Sequence, residues 1–202
     1  MDHRLILIRH ATTTAPENTL VGKNDVPLSA QGKQDALLLK NNIRFNNEKK
    51  NNVYFYCSML SRAIQTAEIL FPDTSFAYND ALNEADFGDW TGQDMKKILK
   101  KFPNVVDEWV RNPMEFRFPG GESVRECIDR VEQFLNVEAL NKPGTVVLVC
   151  HGGIIRFIIC RILGIDYFHH HAFSINRPSV NVIDHDGKNG VLAGLNISEL
   201  TI

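Results

Sequence analysis

The sequence has no excess of positive charge, no CxxC pair, no apolar run of membrane length and no internal repeat, and each absence removes a class of function. Lys+Arg 22 against Asp+Glu 24 leaves a net charge of −2. No global field is therefore available to hold a polyanion such as nucleic acid, or an anionic membrane, and any anion handled here must meet a local site. The longest apolar run, IIRFIICRILGI after His151, carries two arginines and falls short of the roughly 20 residues a bilayer requires. The start, MDHRLILIRH, enters a strand-like run without the zones of a secretory signal, so a soluble, cytoplasmic protein is expected. Cys57, Cys127, Cys150 and Cys160 sit singly in apolar segments and read as reduced, buried thiols. The triplet His169, His170 and His171 lacks metal-site spacing, because neighbours in a strand point to opposite faces; a surface or site-rim place is predicted, with no metal or cofactor.

What is present fits one domain, since 202 residues fill a single core and leave little room for two. Arg4 to Arg9, Val53 to Cys57 and Thr145 to Cys150 are almost purely apolar runs, as suits strands buried on both faces. Between them lie helical patterns, one capped by Ser29 and reaching the low forties, one capped by Ser61 and reaching Leu70. Val124, Cys127, Ile128, Val131, Phe134 and Leu135 repeat at three and four residues, and Gly153 to Gly164 forms a further, mostly buried helix. Late strands are predicted near Ser179 to Asp184 and Gly190 to Asn196, joined by a turn. Asn46 to Asn52, NNEKKNN, reads as a solvated turn. Strands alternating with helices give an α/β fold whose sheet is mostly parallel and covered on both sides. Residues 86–121 differ in texture, with Gly, Pro and aromatic residues among short helices, and read as an insertion over the sheet. Its Lys96, Lys97, Lys100 and Lys101 are taken as a solvated face.

In open α/β sheets, binding groups gather at the carboxyl ends of strands. Arg9-His10, Ser58 to Arg62, and His151-Gly152-Gly153 all follow predicted strands, so two arginines and two histidines are expected at one edge. Arginine offers a planar fork that matches phosphoryl oxygens, and a neutral imidazole can attack phosphorus directly. Nearby guanidinium groups favour that neutral form. A carboxyl group kept protonated by partial desolvation would supply the leaving oxygen with a proton, and Glu84 in LNEADFGDW is the candidate.

The set LIRHATT (Leu7 to Thr13), GKNDVPLSAQGKQDA (Gly22 to Ala36), CSMLSRAIQTAEIL (Cys57 to Leu70), LNEADFGDWTG (Leu82 to Gly92), PGGES (Pro119 to Ser123) and VCHGGIIR (Val149 to Arg156) resembles the histidine phosphatase superfamily, the phosphoglycerate-mutase-like fold. The resemblance implies a three-layer α/β/α sandwich forming one domain over residues 1–202, with 86–121 inserted over the active site. It also implies His10 as a nucleophile that becomes phosphohistidine, Glu84 as proton donor, and Arg9, Arg62 and His151 as phosphate ligands. The chain departs from the family's Arg-His-Gly-Glu-Thr at Ala11 and Thr12, and Pro16 replaces an Asn found in relatives. Ala11 fits only if its backbone avoids a positive φ.

A mutase must shield phosphohistidine from water, which relatives achieve with a closing tail, whereas this chain reaches NISELTI directly after its last predicted strand; a phosphomonoesterase is expected. The GKNDVPLS, NEADFGDWTG and FRFPGGES blocks look most like α-ribazole-5′-phosphate phosphatases of cobalamin nucleotide-loop assembly, with Trp90, Trp109, Phe116 and Phe118 as an apolar wall for a flat base or as simple packing. The alternatives are a broad-specificity phosphatase, a phosphoglycerate mutase, and an inactive phosphate-binding protein, the last suggested by Ala11 and Thr12. A small phosphomonoester is the expected partner in the active readings; oligomeric state is not legible.

Overall fold

The computed structural model describes residues 3–44, 52–187, 189–197 and 199–202. Its axis is β1 (His3–Arg9), whose apolar run is covered on both sides: Leu5 and Leu7 enter one apolar cluster, Ile6 and Ile8 the other. After β1 come α1 (Ala30–Lys40), β2 (Ile43–Arg44), β3 (Val53–Cys57), α2 (Ser61–Leu70) and β4 (Ala77–Tyr78). Then follow α3 (Met95–Lys101), α4 (Pro103–Arg111), α5 (Val124–Phe134), β5 (Gly144–Cys150), α6 (Gly152–Leu163), β6 (Ser179–His185), β7 (Gly190–Ile197) and β8 (Leu200–Thr201). The main sheet has the order β4-β3-β5-β1-β6-β7, parallel from β4 to β1 and antiparallel through β6 and β7. One face, with Leu5, Leu7, Val146 and Leu148, packs against α5 and α6. The other, with Ile6, Ile8, Val147 and Val149, packs against α2 and, through Leu39, α1. This is the expected α/β sandwich with a mostly parallel sheet.

Local chemistry sets most element ends. Ser29 caps α1 by accepting from the Gly32 N–H at 3.0 Å. The helix stops at Lys40, and Ile43–Arg44 then pairs parallel with Leu200–Thr201, so the closing segment is not left free after β7: Leu200 and Ile202 are buried in the second cluster. α5 starts with a reciprocal cap between Ser123 and Glu126. α6 ends where Gly164 takes a left-handed φ of 65°. Of the Asn46–Asn52 turn, only Asn52 lies within the described residues.

Two expectations are corrected, and one pair of alternatives is decided. Ser61 does not cap α2: it is the first helical residue, Leu60 holds the cap position, and Ser61 gives both its N–H and its hydroxyl to the Asp25 carboxylate, each at 2.7 Å. The charged acceptor arrives from the loop before α1 and takes the donors that a local cap would have arranged differently. The histidine triplet is not in a strand but in a 3₁₀ turn, Tyr167–Ala172. Its His169 and His171 are exposed, while His170 is buried, giving Nδ1–H to Tyr167 O at 2.7 Å with its ring 5.1 Å from that of Phe157. Of the two readings of the aromatic residues of 86–121, a wall or simple packing, it is packing that is found. Trp90, Phe116 and Phe118 are buried against one another and against Trp109, with ring centroids 5.2 to 6.0 Å apart, in the same cluster as Leu5 and Leu7. Between short helices with little other core, rings are the largest apolar surface available and bury first.

All four cysteines are free and buried, and the lysines of α3 are exposed, as expected. Among the described residues no helix is long and apolar enough to cross a membrane. Trp90 is 1% exposed, so Trp90→Ala is expected to cost about 3–5 kcal/mol in denaturant unfolding; a change below about 1 kcal/mol would return the ring to a ligand-facing role.

Candidate active site

The carboxyl ends of β1, β3 and β5 meet at one edge of the sheet. His10 leaves β1 with its N–H bonded to Cys150 O at 3.0 Å, and Ser58 leaves β3 with its N–H bonded to Val149 O at 3.0 Å. His151 follows β5 directly and precedes α6. Strand register therefore brings together residues far apart in the chain.

The two histidines hold opposite tautomers. His10 Nδ1 lies 2.7 Å from Ala11 O; a carbonyl only accepts, so Nδ1 carries the proton and Nε2 is left with its lone pair. His151 Nδ1 accepts from Arg62 Nε–H at 3.3 Å, so the proton sits on Nε2, which donates to Ser58 Oγ at 2.7 Å. Ser58 Oγ passes its own hydrogen to Asn83 Oδ1 at 2.8 Å. The rings lie 5.1 Å apart. Burial, then Arg62, pushes His10 well below the ordinary imidazole range; burial, then His10 and Arg62, does the same to His151. Both rings are neutral at neutral pH. Ala11 is not among the residues of positive φ, and its N–H is bonded to Thr66 Oγ1 at 3.1 Å, so the alanine fits without backbone strain.

Arg62 is almost fully buried. Nη1 donates to Asn24 O at 2.8 Å and Nη2 to Gly22 O at 2.6 Å, so backbone carbonyls hold it in place while two further N–H groups remain to be satisfied. Arg9 reaches Ile175 O through Nη1, and its Nε is buried with no hydrogen-bond partner. Burial and the charge of Arg177 push Arg9 down to about 10, which leaves it charged at neutral pH. Its guanidinium lies over Gly152, where a Cβ would stand 2.9 Å from Arg9 Cζ. Glu84 approaches the next glycine: Oε2 accepts from Gly153 N–H at 3.2 Å, and a Cβ on Gly153 would stand 2.6 Å from Oε1. The two glycines following His151 thus make room for a guanidinium and a carboxylate.

The expected set, Arg9, His10, Arg62, Glu84 and His151, is brought together. Sequence reasoning missed several partners. Ser58 and Asn83 fix the His151 tautomer; Ser58 lay inside the CSMLSR block, but nothing distinguished its hydroxyl from a turn residue. Arg130 holds the segment carrying Glu84, donating to Ala81 O at 2.6 Å and pairing with Glu122 at 3.0 Å, while Glu122 accepts from Asp86 N–H at 2.7 Å. Arg156 and Arg177 add positive charge at Arg9. Arg156 was visible at the end of VCHGGIIR, one turn beyond Gly152; Arg177 had no local signal.

Such an arrangement can bind a phosphoryl group between guanidinium forks, present a neutral imidazole nitrogen to it, and bring a carboxyl group to its far side. The histidine phosphatase superfamily (branch 1) matches residues 5–198. Phosphoserine phosphatase 1 of Hydrogenobacter thermophilus is 32% identical over 199 residues, covering 96% of this chain and 92% of its own. A putative α-ribazole-5′-P phosphatase from Escherichia coli K-12 has a similar structure, with a TM-score of 0.85 at 25% identity over 100% of both chains. The α-ribazole phosphatase of Shigella flexneri has a TM-score of 0.83, also at 25% identity, over 98% of each chain. The match over nearly the whole chain, with the phosphoserine phosphatase likeness above it, places the protein: it is a phosphatase of the histidine phosphatase superfamily.

Proposed function

We propose that the protein is a metal-independent phosphomonoesterase that works through phosphohistidine on His10. The observation that carries this reading is the His10 tautomer, a buried neutral ring with Nε2 unprotonated beside the buried Arg62 and the half-buried Arg9. Nε2 attacks phosphorus as the bond to the leaving oxygen breaks, and Glu84 gives that oxygen its proton. Water then attacks phosphohistidine, returns a proton to Glu84, and releases inorganic phosphate and free His10. Arg9, Arg62 and His151 hold the phosphoryl oxygens; the buried unpaired Nε of Arg9 is a donor awaiting such an acceptor. In this reading the chain is a single histidine phosphatase domain with 86–121 inserted at the site. Its support is that Trp90, Phe116 and Phe118 share one core with β1.

For the substrate, α-ribazole 5′-phosphate is supported by the sequence blocks resembling those phosphatases and by the two similar structures. The burial of Trp90, Phe116 and Phe118 favours simple packing over an apolar wall for its flat base. The likeness to a phosphoserine phosphatase supports a small, charged leaving group instead.

Rapid mixing with a labelled monoester followed by alkaline isolation should trap phosphohistidine in the wild type and none in His10→Ala, with turnover unaffected by EDTA; label retained in His10→Ala would refute the assignment. Glu84→Ala is expected to lose more activity on alkyl than on p-nitrophenyl phosphate, because a poor leaving group needs the proton most; equal losses would remove Glu84 from the acid role. Since burial and Arg62 disfavour its imidazolium, His10 should remain neutral on acidification through the ordinary imidazole range, and a nitrogen-15 NMR titration with an inflection inside that range would contradict this. Gly153→Ala should cut kcat about a hundredfold by displacing the Glu84 carboxylate; wild-type turnover would mean that the contact is not used.

A further inference from the structure

The segment from Phe173 to Arg177 organises three guanidinium groups. Its Phe173 O accepts from Arg156 Nε–H at 2.8 Å, its Ile175 O accepts from Arg9, and it carries Arg177 itself. The segment is tied down from the β7 side, with Asn176 N–H bonded to Asn196 Oδ1 at 2.8 Å and Ser174 O accepting from Asn196 Nδ2 at 2.7 Å. The antiparallel register pairs Arg9 with Ser179, so the residues just before Ser179 run beside His10 and Ala11. Arg177 is exposed there, and its charge is felt at Arg9, His10 and Arg62.

Neither Arg156 nor Arg177 has an ion pair among the described residues. Arg156 spends its Nε on Phe173 O and has its two terminal nitrogens free of hydrogen bonds among those residues. It stands one helical turn beyond Gly152 and Gly153, which touch Arg9 and Glu84, and the charge of Glu84, the proton donor to the leaving oxygen in the proposed mechanism, is felt at it. The guanidinium groups of Arg9, Arg62, Arg156 and Arg177 outnumber the carboxylates felt among them, Glu84 and Asp25, and a further anion between them relieves their mutual repulsion.

We propose that Arg156 and Arg177 form a second anion subsite, beside the phosphoryl pocket, that takes a negatively charged substituent of the leaving group, a carboxylate or a second phosphate. The proposal rests on the phosphomonoesterase reading and narrows its substrate class to small phosphomonoesters of anionic alcohols. Arg156 brings two terminal nitrogens free of hydrogen bonds among the described residues, and Arg177 an exposed cationic side chain. A neutral leaving group would leave both unmatched.

The test compares substrates that differ by the charge alone: O-phosphoserine with O-phosphoethanolamine for a carboxylate, and fructose 1,6-bisphosphate with fructose 6-phosphate for a second phosphate. The wild type is expected to favour the anionic member of at least one pair by about tenfold or more in kcat/KM, the worth of a charge-assisted hydrogen bond. The pair showing the preference identifies the anion. Arg177→Ala and Arg156→Gln should each shrink that preference toward one, chiefly through KM. A wild-type ratio near one in both pairs, a preference for α-ribazole 5′-phosphate over all four, or variants that slow both members of a pair equally would overturn the subsite. That last outcome would assign the two arginines to the phosphoryl group itself. Phenyl phosphate separates the two levels: phosphohistidine and turnover with it, but no anionic preference, defeat the subsite alone, whereas no turnover of any monoester defeats the phosphatase reading.

Discussion

The site depends on keeping the Arg62 guanidinium buried. A desolvated cation is stable only when its N–H groups are satisfied, and here the partners are the carbonyls of Gly22 and Asn24 and the ring of His151. Those bonds join the loop after β1, the start of α2 and the end of β5. Asp25 completes the tie by holding Ser61, the residue before Arg62. Neutral carbonyls fix the cation without cancelling it, so its field remains available to an incoming phosphate. A carboxylate in their place would have consumed that field.

Burial, and then the same field, settle the state of both imidazoles. Away from water and beside Arg62 and Arg9 an imidazolium is disfavoured, so His10 and His151 are held neutral, and the remaining hydrogen bonds choose the tautomers. A main-chain carbonyl fixes the proton of His10 on Nδ1; the Ser58 to Asn83 relay fixes that of His151 on Nε2. One ring is left able to attack and the other to orient, although the residue type is the same. The net charge of −2 is compatible with this because the cations that act here, Arg9, Arg62, Arg156 and Arg177, are felt locally.

Legibility in the sequence followed the range of the interactions. Strands buried on both faces announce themselves as apolar runs, and β1, β3 and β5 were readable for that reason; Arg9, His10, Arg62 and His151 were readable because each stands at or just beyond such a run. The short pairs β2 with β8 and β4 with β3 were not, since two-residue strands have no period to detect. Ser61 misled because capping propensity is local, while Asp25 acts across the fold. Trp90, Phe116 and Phe118 left two readings open because an aromatic residue buried in a small core and one lining a pocket look alike in a sequence. Arg177 was silent because its place depends on the antiparallel register of β6 against β1, a long-range pairing.

That division separates two halves of the site. The groups that the proposed mechanism assigns to the phosphoryl oxygens hang from the ends of β1 and β5 and the start of α2, whose positions follow from a sheet shared with the similar structures. Those on the leaving-group side hang from segments with little regular structure: Glu84 from 81–86, held by Arg130 and Glu122, and Arg177 from the loop before β6, held by Asn196. Changing such a segment alters the shape and charge that face the leaving group without moving the strands that position His10. Phosphoryl chemistry can therefore stay constant across one frame while the alcohol it is taken from varies. Within this chain, the proposed anion subsite puts the means of discriminating among substrates in the charge of that second half, since the aromatic rings of 86–121 are packed into the core.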